Sequence, residues 1–174
     1  MDYRNADPAT AYPQALEALR NPGFIKSAKW QEQQLRAERL GAHPLITEFA
    51  RKLVQRAAKL GVPLFPHCIV RTPEDQASAY ARGVSWTPPS RPYPHRAFAV
   101  DIIHSTLGWM DKPPVPHAWE LVMAMGKETA RSMGIKITCG GDWDGDGETA
   151  DERKYDPAHF ELSNWRELYA EQFG

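Results

Sequence analysis

Asp101 lies in the run Ala97-Phe98-Ala99-Val100-Asp101-Ile102-Ile103, where every neighbour is apolar. An unpaired carboxylate in such a strand costs several kcal/mol, on the order of a buried charge's desolvation, so this acid needs a partner. His95 stands six positions earlier, and His159 sits in a second apolar segment, Pro157-Ala158-His159-Phe160-Glu161-Leu162. Two histidines and one carboxylate, with a position left for water, form a catalytic zinc set, whereas structural zinc sites are usually filled by four protein ligands. Asp156 stands three residues before His159. A turn there would bring its carboxylate near whatever the histidine binds, within reach to take a proton from an activated water and pass it to a leaving amine. The plainer alternative is a pair of hydrogen-bonded histidines beside a buried salt bridge. His104, three residues past Asp101, is the substitute ligand if His95 points away, and His43, His67 and His117 read as solvated or core histidines.

A second group of acids follows in the run 142–153. Asp142, Asp144 and Asp146, followed by Gly147, match the opening of an EF-hand calcium loop, and Glu148 and Asp151 add further oxygens. Arg153 occupies the twelfth position, where a bidentate Glu belongs. A bound Ca2+ and a solvated acidic turn both remain open readings.

These residues recur in a known order. His95-Arg96-Ala97-Phe98-Ala99-Val100-Asp101, then Gly140-Gly141-Asp142-Trp143, then Asp156-Pro157-Ala158-His159-Phe160-Glu161 resembles the pattern of the D-alanyl-D-alanine carboxypeptidases, dipeptidases and L-alanyl-D-glutamate endopeptidases, which include many phage endolysins. Upstream, Arg71-Thr72-Pro73-Glu74-Asp75-Gln76 and the stretch ending in Gly83 resemble that family's Arg-Ser/Thr-x-x-x-Gln segment, so the likeness spans about residues 44–165. The resemblance implies zinc held by His95, Asp101 and His159, Asp156 as general acid and base, and Arg71 at the developing oxyanion. It also implies substrate contacts from Gln76 and Trp143, peptidoglycan stem peptides as partner, and a hedgehog or D-Ala-D-Ala-peptidase-like fold. His95 to Asp101 is one residue shorter than the family pattern, Ala97 replaces its Gly, and Tyr93 stands where its leading Ser would be. An Asp at position 156 resembles the L-alanyl-D-glutamate and endolysin branch more than the carboxypeptidases, which favour Glu.

The elements that must position these groups are readable from periodicity. Helices are expected over Ala11–Arg20 and Lys29–Leu40, separated by the breaker Asn21-Pro22-Gly23, as a lead-in covering residues 1–43. A stronger helix runs from Pro44 with Leu45, Phe49, Leu53, Ala57 and Leu60 as its stripe, and Gly61 ends it. A strand over 63–70, a capped helix over 72–81, a proline-rich loop over 84–94 and a strand over 97–103 follow. Then come a helix over 117–133 with Trp119, Val122, Met123 and Ala130 inward, strands over 135–138 and 159–162, and a terminal helix from Asn164. Short strands among longer helices, with no regular βαβ spacing, predict an α+β fold: a small, mainly antiparallel sheet flanked by helices, in one domain over 1–174.

Composition narrows the function classes. Apolar residues make up 42% and charged residues 25% of 174 positions, enough for one core without a disulfide framework. A net charge of -1 with scattered Lys and Arg argues against nucleic acid, and no apolar run reaches membrane-spanning length. Cys68 and Cys139, in apolar surroundings, are expected to be buried free thiols. The acidic start of the chain lacks a signal-peptide pattern, so synthesis is expected to end in the cytoplasm, with action on the wall after release, as a monomer. The expected function is a zinc peptidoglycan peptidase, an L-alanyl-D-glutamate endolysin. A D-Ala-D-Ala carboxypeptidase or dipeptidase, or an inactive wall-binding or virion module of the same fold, are the alternatives.

Overall fold

The computed structural model describes residues 1–174. After a 3-10 turn at Tyr3–Asn5 come α1 (Pro13–Leu19), α2 (Pro22–Ile25), α3 (Ala28–Arg36) and α4 (Pro44–Lys59). In α4 the His43 imidazole accepts from the Leu45 amide at the open end, and Pro44 occupies the first turn, where its missing N–H costs nothing. Its buried stripe is Ile46, Phe49, Ala50, Leu53, Val54 and Ala57, while Leu45 is exposed. The stripe therefore begins one residue later than periodicity from Leu45 suggests. Asn21-Pro22-Gly23 is not a plain breaker: Asn21 accepts from the Phe24 amide and starts α2.

Next come β1 (Leu64–Cys68), α5 (Pro73–Ala81), β2 (Ala99–His104), α6 (Ala118–Met133), β3 (Ile137–Gly140), β4 (Asp156–Leu162) and α7 (Trp165–Phe173). Thr72 and Asp75 form a reciprocal capping box on α5. The four strands make one antiparallel sheet in the order β1-β2-β4-β3. This is the small antiparallel sheet expected, although β3 and β4 are displaced from the predicted bounds: β3 begins at Ile137 and β4 already at Asp156.

Alternation along the strands divides the sheet into two faces. Leu64, Val100, Ile102, Ile137, Cys139, Phe160 and Leu162 belong to the main core with α4 and α6. Phe160 packs on Phe49 with ring centroids 5.5 Å apart, and it lies so close to α6 that a Cβ on Gly126 would meet its ring at 2.5 Å. The other face carries Phe65, Asp101, Ile103, Thr138, His159 and Glu161. One face holds the molecule together and leaves the other for chemistry.

The segment before α4 has two structural tasks. Trp30 and Gln34 of α3 donate to the Leu64 carbonyl at 3.1 and 2.9 Å, covering the edge strand β1. At the chain start, the buried Tyr3 hydroxyl donates to Asp142, and Arg4 donates to the Gly145 carbonyl at 2.6 Å, so residues 3 and 4 anchor the acidic loop. Tyr3→Phe leaves the buried Asp142 carboxylate short of a donor. It should lower unfolding free energy by about 1–3 kcal/mol, the cost of a buried unsatisfied acceptor, as measured by urea denaturation.

Candidate active site

His95 does not come from the strand itself. It sits on a 3-10 turn at Pro94–Arg96, before Ala97 leads into β2, and its carbonyl accepts from the Arg71 amide at 2.8 Å. That turn takes up the shortened spacing to Asp101 and swings the imidazole over the strand. Tyr93, which stands in place of the family's Ser, is buried and donates its hydroxyl to the Arg71 carbonyl at 3.0 Å. Asp101 and His159 are direct cross-strand partners of β2 and β4, so the antiparallel register places them on the same face.

The hydrogen bonds decide what this trio can do. His95 Nδ1 lies 2.9 Å from the Ile69 carbonyl, which can only accept, so Nδ1 carries the proton. His159 Nε2 lies 2.8 Å from Glu161 Oε2, and the other Glu161 oxygen accepts from the Trp165 indole at 3.0 Å. Each imidazole thus spends its proton outward, and its remaining nitrogen faces Asp101 Oδ1 at 3.1 Å. Two imidazole lone pairs converging on one carboxylate oxygen repel unless protons or a cation stand between them. Orientation of a histidine by a carbonyl or carboxylate behind it is the usual support of a metal ligand. The set therefore fits a divalent metal with nitrogen and oxygen donors.

Charge follows the same geometry. Burial disfavours a charged His95, but the Asp101 carboxylate outweighs it and raises the pKa to about 10. Burial likewise opposes charge on His159, whereas hydrogen bonds to Asp101 and Glu161 raise its pKa to about 8. Asp101 is held well below the ordinary carboxylate range: the two histidines overcome the burial that would raise it. Asp156 moves the other way, pushed up first by burial and then by the charge of Asp101. Oxygen and nitrogen atoms of Asp101, Asp156 and His159 lie within 4.8 Å of one another. Asp156 gets there from inside β4, not from a preceding turn. A register shift against β3 at Cys139/Gly140 rotates it onto the face of His159, although three residues along a regular strand would put it on the opposite one.

These groups line an open cleft of about 1000 Å³. Arg71 reaches Asp101 Oδ2 and Gln76 Oε1, each at 3.5 Å, contacts long enough to leave its guanidinium donors for a ligand. Gln76 lines the cleft but is buried, and its amide nitrogen is spent on Ser85 Oγ and the Thr87 carbonyl, both at 2.8 Å. It orients Arg71 and ties down the proline-rich loop, so its own amide is not free for substrate. Trp143 stands against His159 with ring centroids 5.5 Å apart, fixed by its indole donating to the Lys154 carbonyl at 2.6 Å.

Several residues fall elsewhere. His104 is not a substitute ligand: it is buried with its Nε2 on the Leu19 carbonyl at 2.8 Å and its Nδ1 accepting from the Leu107 amide. Cys68 and Cys139 are free, but only Cys139 is fully buried; Cys68 is half-buried with Sγ 3.7 Å from His95 Nδ1, and Cys68, His95 and Asp101 bring ligand atoms within 4.8 Å of one another as a further group that could hold a metal. In the acidic loop, Asp142, Asp144 and Asp146 bring carboxylate oxygens within 4.8 Å of one another and could hold a hard cation. Glu148 and Asp151 do not join them. The Glu148 amide donates to Asp146 while Asp151 lines the cleft, because the loop bends back into β4 instead of closing as an EF-hand. Glu161 and Trp165 were missed as supports of His159; only the recurrence of Glu two residues after the histidine hinted at the first.

Against this geometry, the family model described as phage L-alanyl-D-glutamate peptidase matches residues 46–163. The chain belongs to that family. Membership makes it a peptidase of peptidoglycan stems. Among solved structures, the L-Ala D-Glu endopeptidase ChiX of Serratia marcescens superposes with a TM-score of 0.53 at 21% identity, covering 81% of this chain and 90% of that one, a likeness of fold. No curated protein sequence matches.

The Gly-Gly pair of this phage peptidase family member has a steric reason. A Cβ on Gly140 would lie 2.3 Å from the Asp156 carbonyl oxygen and 2.9 Å from the Trp143 ring. Gly140→Ala should displace both cleft residues and cost about 1–3 kcal/mol of stability by overpacking, with denaturant titration as the check.

Proposed function

We propose that this protein is a zinc-dependent endopeptidase that cleaves between L-alanine and D-glutamate in peptidoglycan stem peptides, and that it acts as the endolysin of a phage or prophage. The phage peptidase family supports the substrate and the context. The observation that carries the metal is Asp101 Oδ1 facing two imidazole nitrogens at 3.1 Å, each oriented from behind by an acceptor. His95, Asp101 and His159 would hold the zinc, which when bound supplies Lewis acidity at the scissile carbonyl and acidifies a water.

The remaining chemistry belongs to the chain. Asp156, with its raised pKa, accepts the proton of the attacking water and delivers it to the leaving amine nitrogen. Arg71 offers its guanidinium donors to the negative charge that develops on the carbonyl oxygen. Glu161 and the Ile69 carbonyl keep both imidazoles in the tautomer that turns a lone pair inward. Trp143 walls the His159 side of the cleft and shields it from water.

Digestion of peptidoglycan with and without a chelator, read by product mass spectrometry, tests the proposal. New L-alanine carboxyl and D-glutamate amino termini, lost on chelation and restored by zinc, are expected. Release of free D-alanine, or indifference to the chelator, would overturn it. Asp156→Asn should lower kcat by about 10²–10⁴-fold while zinc content stays at one per chain. Metal-free, both histidines hold protons at pH 7, since pKa values of about 10 and about 8 lie above it. Zinc loading at that pH should therefore release more than one proton, and apparent affinity should rise with pH toward 10; calorimetry in buffers of different ionisation enthalpy measures this.

Calcium at Asp142, Asp144 and Asp146 is the second metal of this proposal. Its support is the Asp142 Oδ1, buried without a hydrogen-bond partner. Calorimetric titration of the zinc-loaded protein with calcium should give a saturable heat, and no heat at millimolar concentration would remove the site.

A further inference from the structure

Cations line the active-site cleft in two unequal groups. Arg153 and Lys154 sit on the acidic loop among Asp151, Glu152 and Asp156, and Lys154 Nζ also rests 5.0 Å over the Trp86 ring. Where the proline-rich loop meets the start of α7, the cleft is lined by Arg91 and Arg166 instead. Both also line an adjoining hollow of about 600 Å³, where no acidic side chain enters and the last residue, Gly174, forms part of the wall. Neither guanidinium makes an ion pair or a hydrogen bond within the chain, although every other arginine lining the catalytic floor is engaged or lies among acids.

Arg166 is also held in place. Its guanidinium stacks 4.5 Å over the Trp165 ring, and that indole donates to Glu161, the residue that orients His159. Stacking reduces the freedom an exposed arginine would otherwise lose on binding, and a planar fork of donors matches a carboxylate. Two cations without partners that line the same cleft and the same hollow favour an anion bound between them.

We propose that Arg91 and Arg166 form a carboxylate clamp that selects stem peptides carrying free acid groups next to the scissile bond. This rests on the peptidase reading above. In a γ-linked D-glutamyl residue the α-carboxylate remains free beside the bond that is cut, and where the next residue is a diamino dicarboxylic acid, its side chain supplies a second carboxylate. Amidation abolishes either charge with little change in shape.

The test measures kcat/KM of the zinc-loaded enzyme on three synthetic stems: one with both carboxylates free, one with the D-glutamyl α-carboxylate amidated, and one with the diamino acid amidated. The wild type should lose about tenfold, mainly in KM, on at least one amidated stem, the order expected for one charged hydrogen bond. The amidated position identifies the carboxylate that is held. Arg91→Gln, Arg166→Gln and their combination alter exposed side chains and should fold. The double variant should cleave free and amidated stems with similar kcat/KM. A wild type blind to both amidations, or a double variant that keeps the full discrimination, would overturn the clamp. If the wild type cleaved none of the stems, the peptidase reading itself would fall.

Discussion

The constraint on which the site depends is a single buried carboxylate oxygen. Asp101 Oδ1 receives two imidazole nitrogens whose opposite nitrogens are already committed to acceptors. No arrangement of neutral groups satisfies that geometry, because three lone-pair atoms then meet in a region from which water is largely excluded. Either protons or a metal must occupy the centre. The upward shift of both histidines and the downward shift of Asp101 express the same requirement.

The fold meets this requirement by giving the two faces of one small sheet different tasks. On one face, Phe160, Val100 and Ile102 are packed under α4 and α6 in the main core, which fixes the register of β2 against β4. A slip by one residue would turn Asp101 and His159 into that core and Phe160 out of it, so the apolar face specifies the catalytic one. The sheet departs from regular pairing at Pro66/Cys68 of β1 and at Cys139/Gly140 of β3, and the second of these shifts brings Asp156 to the cleft. Gly140 makes room for it, since any side chain there would collide with the Asp156 backbone.

Elements beyond the sheet adjust what surrounds this centre. The first residues anchor the acidic loop through Tyr3 and Arg4, and the same loop carries Trp143 against His159. Gln76 ties the proline-rich loop to α5, so the cleft wall bearing Arg91 is held from behind by a buried amide. Parts of the chain far apart in sequence therefore share control of a cleft lined by residues of β2, β4 and β3.

Much of this was legible in the order of residues. An acid in an apolar strand and a histidine in another must find partners, because desolvation makes an unpaired charge untenable; that argument led to Asp101 and His159, and spacing from them to His95 and Asp156. Helix α4, the capped start of α5 and the small antiparallel sheet also followed from periodicity and cap chemistry, which act locally. Contacts between distant segments were not legible. Whether His95 or His104 faces Asp101 depends on a 3-10 turn and on strand parity, and the pairing of Glu161 with Trp165 depends on how α7 leaves β4. Spacing likewise suggested five acids around a calcium ion, yet the loop's return into β4 separates Glu148 and Asp151 from the other three. The sequence by itself determined which groups had to be paired, since burial and charge are properties of residue type and pattern; only the tertiary structure decided with whom, since cross-strand register and loop closure are set by the whole core at once.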